Sequence, residues 1–177
     1  MGITMVGMND IALWMYGDAC SGNGFWYSHE IGETAGLTEE QLYWVPHPNG
    51  LCILWHVGHI AHRERVHIGR FLQGLETEII PRGYDVFGTE WCSVKTLRQS
   101  IDSVDSVLTW ANTVREESLK YILSLNYDDF KTVPPTSRRN LSIGHWLFIT
   151  SAHTALHIGR IQLLRALIED RHEEPCW

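Results

Sequence analysis

Apolar residues recur at helical spacing in four stretches of this chain, and the clearest runs from Val94 to Leu125. There Leu97, Ile101, Val104, Leu108 and Ala111 follow in steps of four and three, the seam that an antiparallel bundle helix buries. Arg115 and Ser118 interrupt the stripe before Ile122 and Leu125 resume it. The simplest expectation is that the buried face rotates onto Val114 and Tyr121; a polar group facing a site is the alternative. A second stretch, Leu51 to Gly74, carries Ile53, Val57, Ile60, Ile68 and Phe71 near the same spacing. In the last stretch, Leu141 to Arg171, Ser142 is placed to cap a helix with its seam on Ile143, Leu147, Thr150, Thr154, His157, Ile161, Leu164 and Ile168. The first, about Asn9 to Glu33, has an uneven stripe, and Gly17, Gly22 and Gly24 oppose a helix there.

The connections between these stretches are punctuated. Thr38 followed by Gln41 predicts a capped turn of helix, and Pro46, Pro48 and Gly50 then break the chain. Leu75 to Ser93 holds Pro81, Gly83 and Gly88 and reads as a connection long enough to be functional or partly ordered. Asn126 to Asn140 contains Pro134 and Pro135 and reads as another. No period-two alternation competes. The pattern predicts an all-α protein: a four-helix bundle over a single domain, residues 1–177, with a long decorated loop between helices two and three.

Histidine changes this picture from architecture to chemistry. The chain has ten, concentrated in 56–67 and 145–157. His153 and His157 stand four apart, which puts them one above the other on one helix face, with Cβ atoms roughly 5–6 Å apart. Two imidazoles so placed can ligate one metal ion, and a third from another helix leaves the open position that metal chemistry requires. The sequence His153-Thr-Ala-Leu-His157 lacks the glutamate of the H-E-x-x-H metalloprotease helix. His56, His59 and His62 are three apart and fan over a wide arc, so they cannot all reach one ion. If Ile53, Ile60 and Phe71 mark the core, His56 and His67 lie at its margin and His59 on the far side, so spacing alone favours His56. Trp146, seven residues before His153, is more simply a core indole than a pocket wall. The tetrapeptide His-Ile-Gly-Arg occurs at both 67–70 and 157–160 with nothing similar around it, and reads as chance.

Composition narrows the function classes. A formal net charge of -7 gives no electrostatic footing for nucleic acid. Cys20, Cys52, Cys92 and Cys176 are scattered without a C-x-x-C pair, which suits reduced thiols in a cytoplasmic protein. Met1 to Asn9 has no basic start of the secretory type, and no apolar run approaches the roughly 20 residues of a membrane span.

The segment Trp55-His-Val-Gly-His-Ile-Ala-His-Arg-Glu64, followed by His153-x-x-x-His157-Ile-Gly-Arg-Ile-Gln162, resembles the DinB/YfiT-like family. Leu37-Thr-Glu-Glu-Gln-Leu42 and the proline-rich approach to helix two are also similar to it. Carried over position by position, the resemblance implies metal ligation by His59, His153 and His157, with His56 and His62 as neighbours. Glu64 matches the family's acidic position without an assigned role, and His62 departs from members that have Asp there. Three neutral imidazoles suit zinc, nickel or iron, and ligand type does not choose among them.

The resemblance further implies a homodimer and a metal-dependent transferase acting on small molecules with a low-molecular-weight thiol. Members of that kind use bacillithiol or mycothiol, isomerise maleylpyruvate with thiol help, or bind iron in sulfur-inserting enzymes. A metal-dependent hydrolase using bound water and a non-catalytic stress-associated binding protein are the alternatives. No residue is assigned a catalytic or cofactor-binding role beyond the metal, and no substrate follows.

Overall fold

The computed structural model describes residues 32–76 and 80–170. The predicted first helix, Asn9 to Glu33, lies outside them apart from its last two residues, as do Cys20 and Cys176. The described chain is helical and contains no strand. It opens on a 3-10 turn, Gly32–Thr34, and a short helix α1, Glu39–Leu42. Thr38 and Gln41 form the expected capping box: each side chain takes the other's backbone N–H.

Helix α2, Ile53–Glu64, is the centre of the molecule. Every residue in it except Arg63 is buried. It packs against α4 (Val104–Ser124), α5 (Ile143–Ile168) and a 3-10 turn, Tyr84–Gly88. Such a helix is normally apolar all round. This one carries three histidines and a glutamate inward, and each polar group must therefore find a partner in the interior. The expectation that His59 faces away from the core fails for this reason, because the far side of α2 is also interior.

The helix runs on as a π-helix over Arg65–Leu72, where Gln73 N–H donates to Ile68 O at i+5. The two phases serve two cores. Leu54, Val57 and Ile60 pack with Phe87, Leu97 and Trp110. Ile68 and Leu72 pack with Ile122, Phe130, Trp146 and Leu147.

The stretch expected to form one helix, Val94 to Leu125, is two: α3, Val94–Ser100, and α4. Ile101 is extended at φ -109°, ψ 154°, and Ser103 restarts the helix by capping Ser106 N–H while Ser106 Oγ takes the Ser103 N–H. Serine side chains compete for backbone groups in this way, and a single apolar seam does not reveal it. Gly83, at φ +88°, crosses the break so closely that a Cβ there would stand 2.1 Å from Ser100 O.

Arg115 and Ser118 do not rotate out of the core. Both are buried, and Arg115 Nη2 lies 3.0 Å from Oε2 of Glu64, itself buried. This ion pair joins α4 to α2 and answers the interrupted stripe. Tyr121 is only half-buried.

Ser142 caps α5 as expected, and the predicted seam from Ile143 to Leu164 is buried. The helix stops at Ile168, where Arg165 bonds the Glu169 side chain. None of the described helices is long and apolar enough to cross a membrane.

Candidate metal centre

His59 on α2 and His153 and His157 on α5 converge, with one ring nitrogen from each lying within 4.8 Å of the others. His59 Nε2 and His153 Nε2 are 3.1 Å apart. Two nitrogens bound to one tetrahedral ion at about 2.0–2.1 Å stand roughly 3.3 Å apart, so this pair already has a ligand spacing. His59 and His157 are buried and His153 half-buried.

A hydrogen bond behind the ring decides which nitrogen of His59 is free, and one behind His157 permits the same arrangement there. His59 Nδ1 lies 2.6 Å from Phe87 O, and since a carbonyl only accepts, Nδ1 carries the proton and Nε2 the lone pair. His157 Nδ1 is 2.8 Å from His56 Nδ1. With His157 donating, its Nε2 is free to bind a cation and His56 is the Nε2–H tautomer. His56 therefore supports the trio from behind, as outer-shell groups of metal-bound histidines do. Trp55 stacks on His59 at 4.4 Å and 18°, which fixes the ring plane. His153 Nδ1 is buried without a hydrogen bond, and the facing Nε2 lone pairs of His59 and His153 need a proton or a cation between them. This donor set fits a divalent ion.

The electrostatics agree. Burial pushes His59 down to about 3, His153 to about 4 and His157 to about 2, and the charges of Arg63 and Arg160, with the repulsion that any two protonated rings would feel, add to the effect. The three imidazoles are therefore neutral near pH 7, the state in which they can ligate.

The trio opens onto a pocket of about 370 Å³. Its walls include Trp55, His67, Arg63, Glu90, Leu156 and Arg160. His67 reaches it because of the π-helix. In a straight α-helix at about 100° per residue, His67 would point roughly 80° away from His59. The wider π turns advance fewer degrees per residue and bring it back. Thr150 Oγ1 donates to Trp146 O at 2.7 Å and so accepts from His67 Nδ1 at 3.0 Å, which leaves His67 Nε2 as an acceptor. The two His-Ile-Gly-Arg echoes thus deliver a histidine each to one pocket, His67 and His157.

The remaining sequence candidates are placed as follows. His56 is behind the trio rather than in it. His62 is buried against the 84–88 turn, where a Cβ on Gly88 would meet its ring at 2.7 Å. Glu64 pairs with Arg115 and takes no part in the pocket. Trp146 is a core indole, packed on Phe71 and bonded through Nε1 to Ser137 Oγ at 3.0 Å. The Phe87 carbonyl, which orients His59, has no side-chain signature; only the unusual length of its loop pointed toward it. Cys52 and Cys92 are free and buried, and neither lines the pocket.

A family model described as the DinB superfamily matches residues 32–161. No curated protein and no solved structure matches the chain. The matched span covers well over half of the 177 residues and includes α2, the 84–88 turn and all three converging histidines. The chain belongs to the DinB superfamily.

Proposed function

We propose that this chain binds a divalent metal through His59, His153 and His157 and acts as a metal-dependent transferase for a small molecule and a low-molecular-weight thiol. The observation that carries the metal reading is the convergence of three neutral imidazoles whose far nitrogens, at His59 and His157, are already held by Phe87 O and His56. A divalent ion there supplies a Lewis acid that favours the ionised form of a thiol brought to it.

The thiol reading rests on what the pocket lacks. Among the described residues its walls offer no cysteine, serine, lysine or tyrosine, which suits a nucleophile brought by a small molecule. The acidic group on the wall, Glu90, has a fully exposed side chain and is a poor candidate for a base. The protein's own contribution is to hold the imidazoles neutral, fix the tautomer of His59 through Phe87 O and set its ring plane with Trp55.

Metal analysis of protein purified without chelators, followed by thiol-transfer assays with an electrophilic model substrate, tests the reading. One equivalent of metal and turnover that requires an added thiol are expected. Turnover without thiol would assign the site to hydrolysis by bound water. A protein that takes up no metal would leave a non-catalytic binding role.

A further inference from the structure

Two arginines stand at the mouth of the histidine pocket, on different helices. Arg63 comes from α2, four residues after His59, and Arg160 from α5, three after His157. In a chain of formal net charge -7, two guanidiniums on one small pocket are a local reversal of sign. Neither is neutralised there. Arg63 donates to Gly88 O at 3.1 Å, which anchors one edge of its fork, and its approach to Glu90 is 4.0 Å with that carboxylate fully exposed. A pair of this kind is worth little. The Arg160 side chain makes no hydrogen bond or ion pair with the described residues and is exposed. The imidazoles beneath them are uncharged, and a bound metal ion would add further positive charge. Positive groups on low-dielectric walls concentrate anions at the mouth, and the guanidinium fork matches a carboxylate in geometry.

We propose that Arg63 and Arg160 form a carboxylate-binding subsite, so that the thiol used at this centre is one that carries a carboxylate. The proposal rests on the metal and thiol readings above and adds the class of the cosubstrate; the absence of a thiolate band from all three probes below would count against the thiol reading itself. The sulfur goes to the histidine end of the pocket and the carboxylate to the arginine end. A thiol without a carboxylate gains only the first contact.

The test uses the full chain loaded with cobalt(II), whose absorption reports thiolate coordination independently of turnover. Three probes of similar size are titrated at low ionic strength: 3-mercaptopropionate, 3-mercaptopropanol and 2-aminoethanethiol. The acid is expected to bind about tenfold more tightly than the alcohol, the product of two partly screened ion pairs, and the amine more weakly than either. The advantage shrinks as ionic strength rises and the Debye length shortens. Arg63→Gln and Arg160→Gln each reduce the acid's advantage, and together they abolish it, while one equivalent of cobalt is still bound no more weakly than before, because the charges removed repel a cation. Equal binding of acid and alcohol, or an acid preference that survives the double substitution, overturns the subsite. If the protein takes up no cobalt, the metal reading fails instead. The same acid and alcohol are then compared by calorimetry on the metal-free protein, where equal affinities overturn the subsite on their own.

Discussion

Gly58 sits between two site histidines in sequence, and replacing it with alanine tests how the centre is held. A Cβ on Gly58 would stand 2.3, 2.4 and 2.5 Å from Cε1, Cδ1 and Cζ of Phe87. Carbon atoms in contact prefer about 3.5–4.0 Å, so the overlap exceeds about 1 Å. The ring cannot swing clear, because Phe87 is fully buried, with Tyr84 edge-on at 5.5 Å and Trp110 stacked at 6.2 Å. The 84–88 turn must therefore shift away from α2. Overpacking of this kind costs about 1–3 kcal/mol, offset by the roughly 0.5–1 kcal/mol that alanine gains over glycine in a helix. The net expectation is a loss of about 1–2 kcal/mol in urea unfolding. The same shift carries Phe87 O away from His59 Nδ1, which it now meets at 2.6 Å. Loss of such a supporting bond lowers metal affinity about 10–100-fold. Gly159→Ala is the control, since a Cβ there meets nothing within 4 Å. It should gain about 0.5–1 kcal/mol and leave metal binding unchanged. A Gly58→Ala protein that loses stability yet keeps wild-type zinc affinity in a competition titration would refute the link from Phe87 to His59.

Other outcomes follow from the same geometry. His153→Ala should lose stoichiometric metal, whereas His56→Ala should retain it with affinity reduced about 10–100-fold, as measured by chelator competition. Arg115→Leu leaves the buried Glu64 carboxylate without its guanidinium and should cost about 3–5 kcal/mol in urea unfolding, while the double change Glu64→Leu with Arg115→Leu recovers most of it. The metal-free protein should lose stability as pH falls below about 6.5. Burial lowers His56 and His153 to about 4 and His59 and His67 to about 3, so down to those values the unfolded chain binds protons that the fold does not. Each such group contributes about 1.4 kcal/mol per pH unit, and saturating metal should leave the onset near 6.5, which the unfolded chain sets, and extend the loss to lower pH. Urea midpoints that stay flat between pH 6.5 and 5 would contradict the neutral, buried placement of these rings.

Much of the helical framework was legible from apolar spacing and caps. Thr38 and Ser142 start their helices where the sequence places them, and the α5 seam is buried from Ile143 to Leu164. The misses share a cause, which is that polar groups sit where a stripe pattern expects none. The stripe rule assumes a helix with one wet face, and α2 has none, so spacing alone could not choose His59 over His56. Arg115 was expected to leave the core because its partner, Glu64, lies 51 residues earlier in another helix. The break at Ile101 turns on backbone bonds among serines, which leave the apolar seam intact across both helices. The far nitrogen of His59 is set by a main-chain oxygen, and no residue type marks it.

The π-helix over Arg65–Leu72 also bears on how this chain tolerates change. Because the ladder there closes over one residue more than an α-helix, removing a single residue between Glu64 and His67 would let α geometry run unbroken. The upstream half, with His59 and the Phe87 contact, would keep its orientation. His67 would then stand seven residues after His59, about 700° on or roughly 20° short of two full turns, so it stays on the pocket side and Ile68 and Leu72 stay with the lower core. A one-residue deletion here is therefore tolerated where one within Ile53–Glu64 is not, because the wide turns already take up the extra residue.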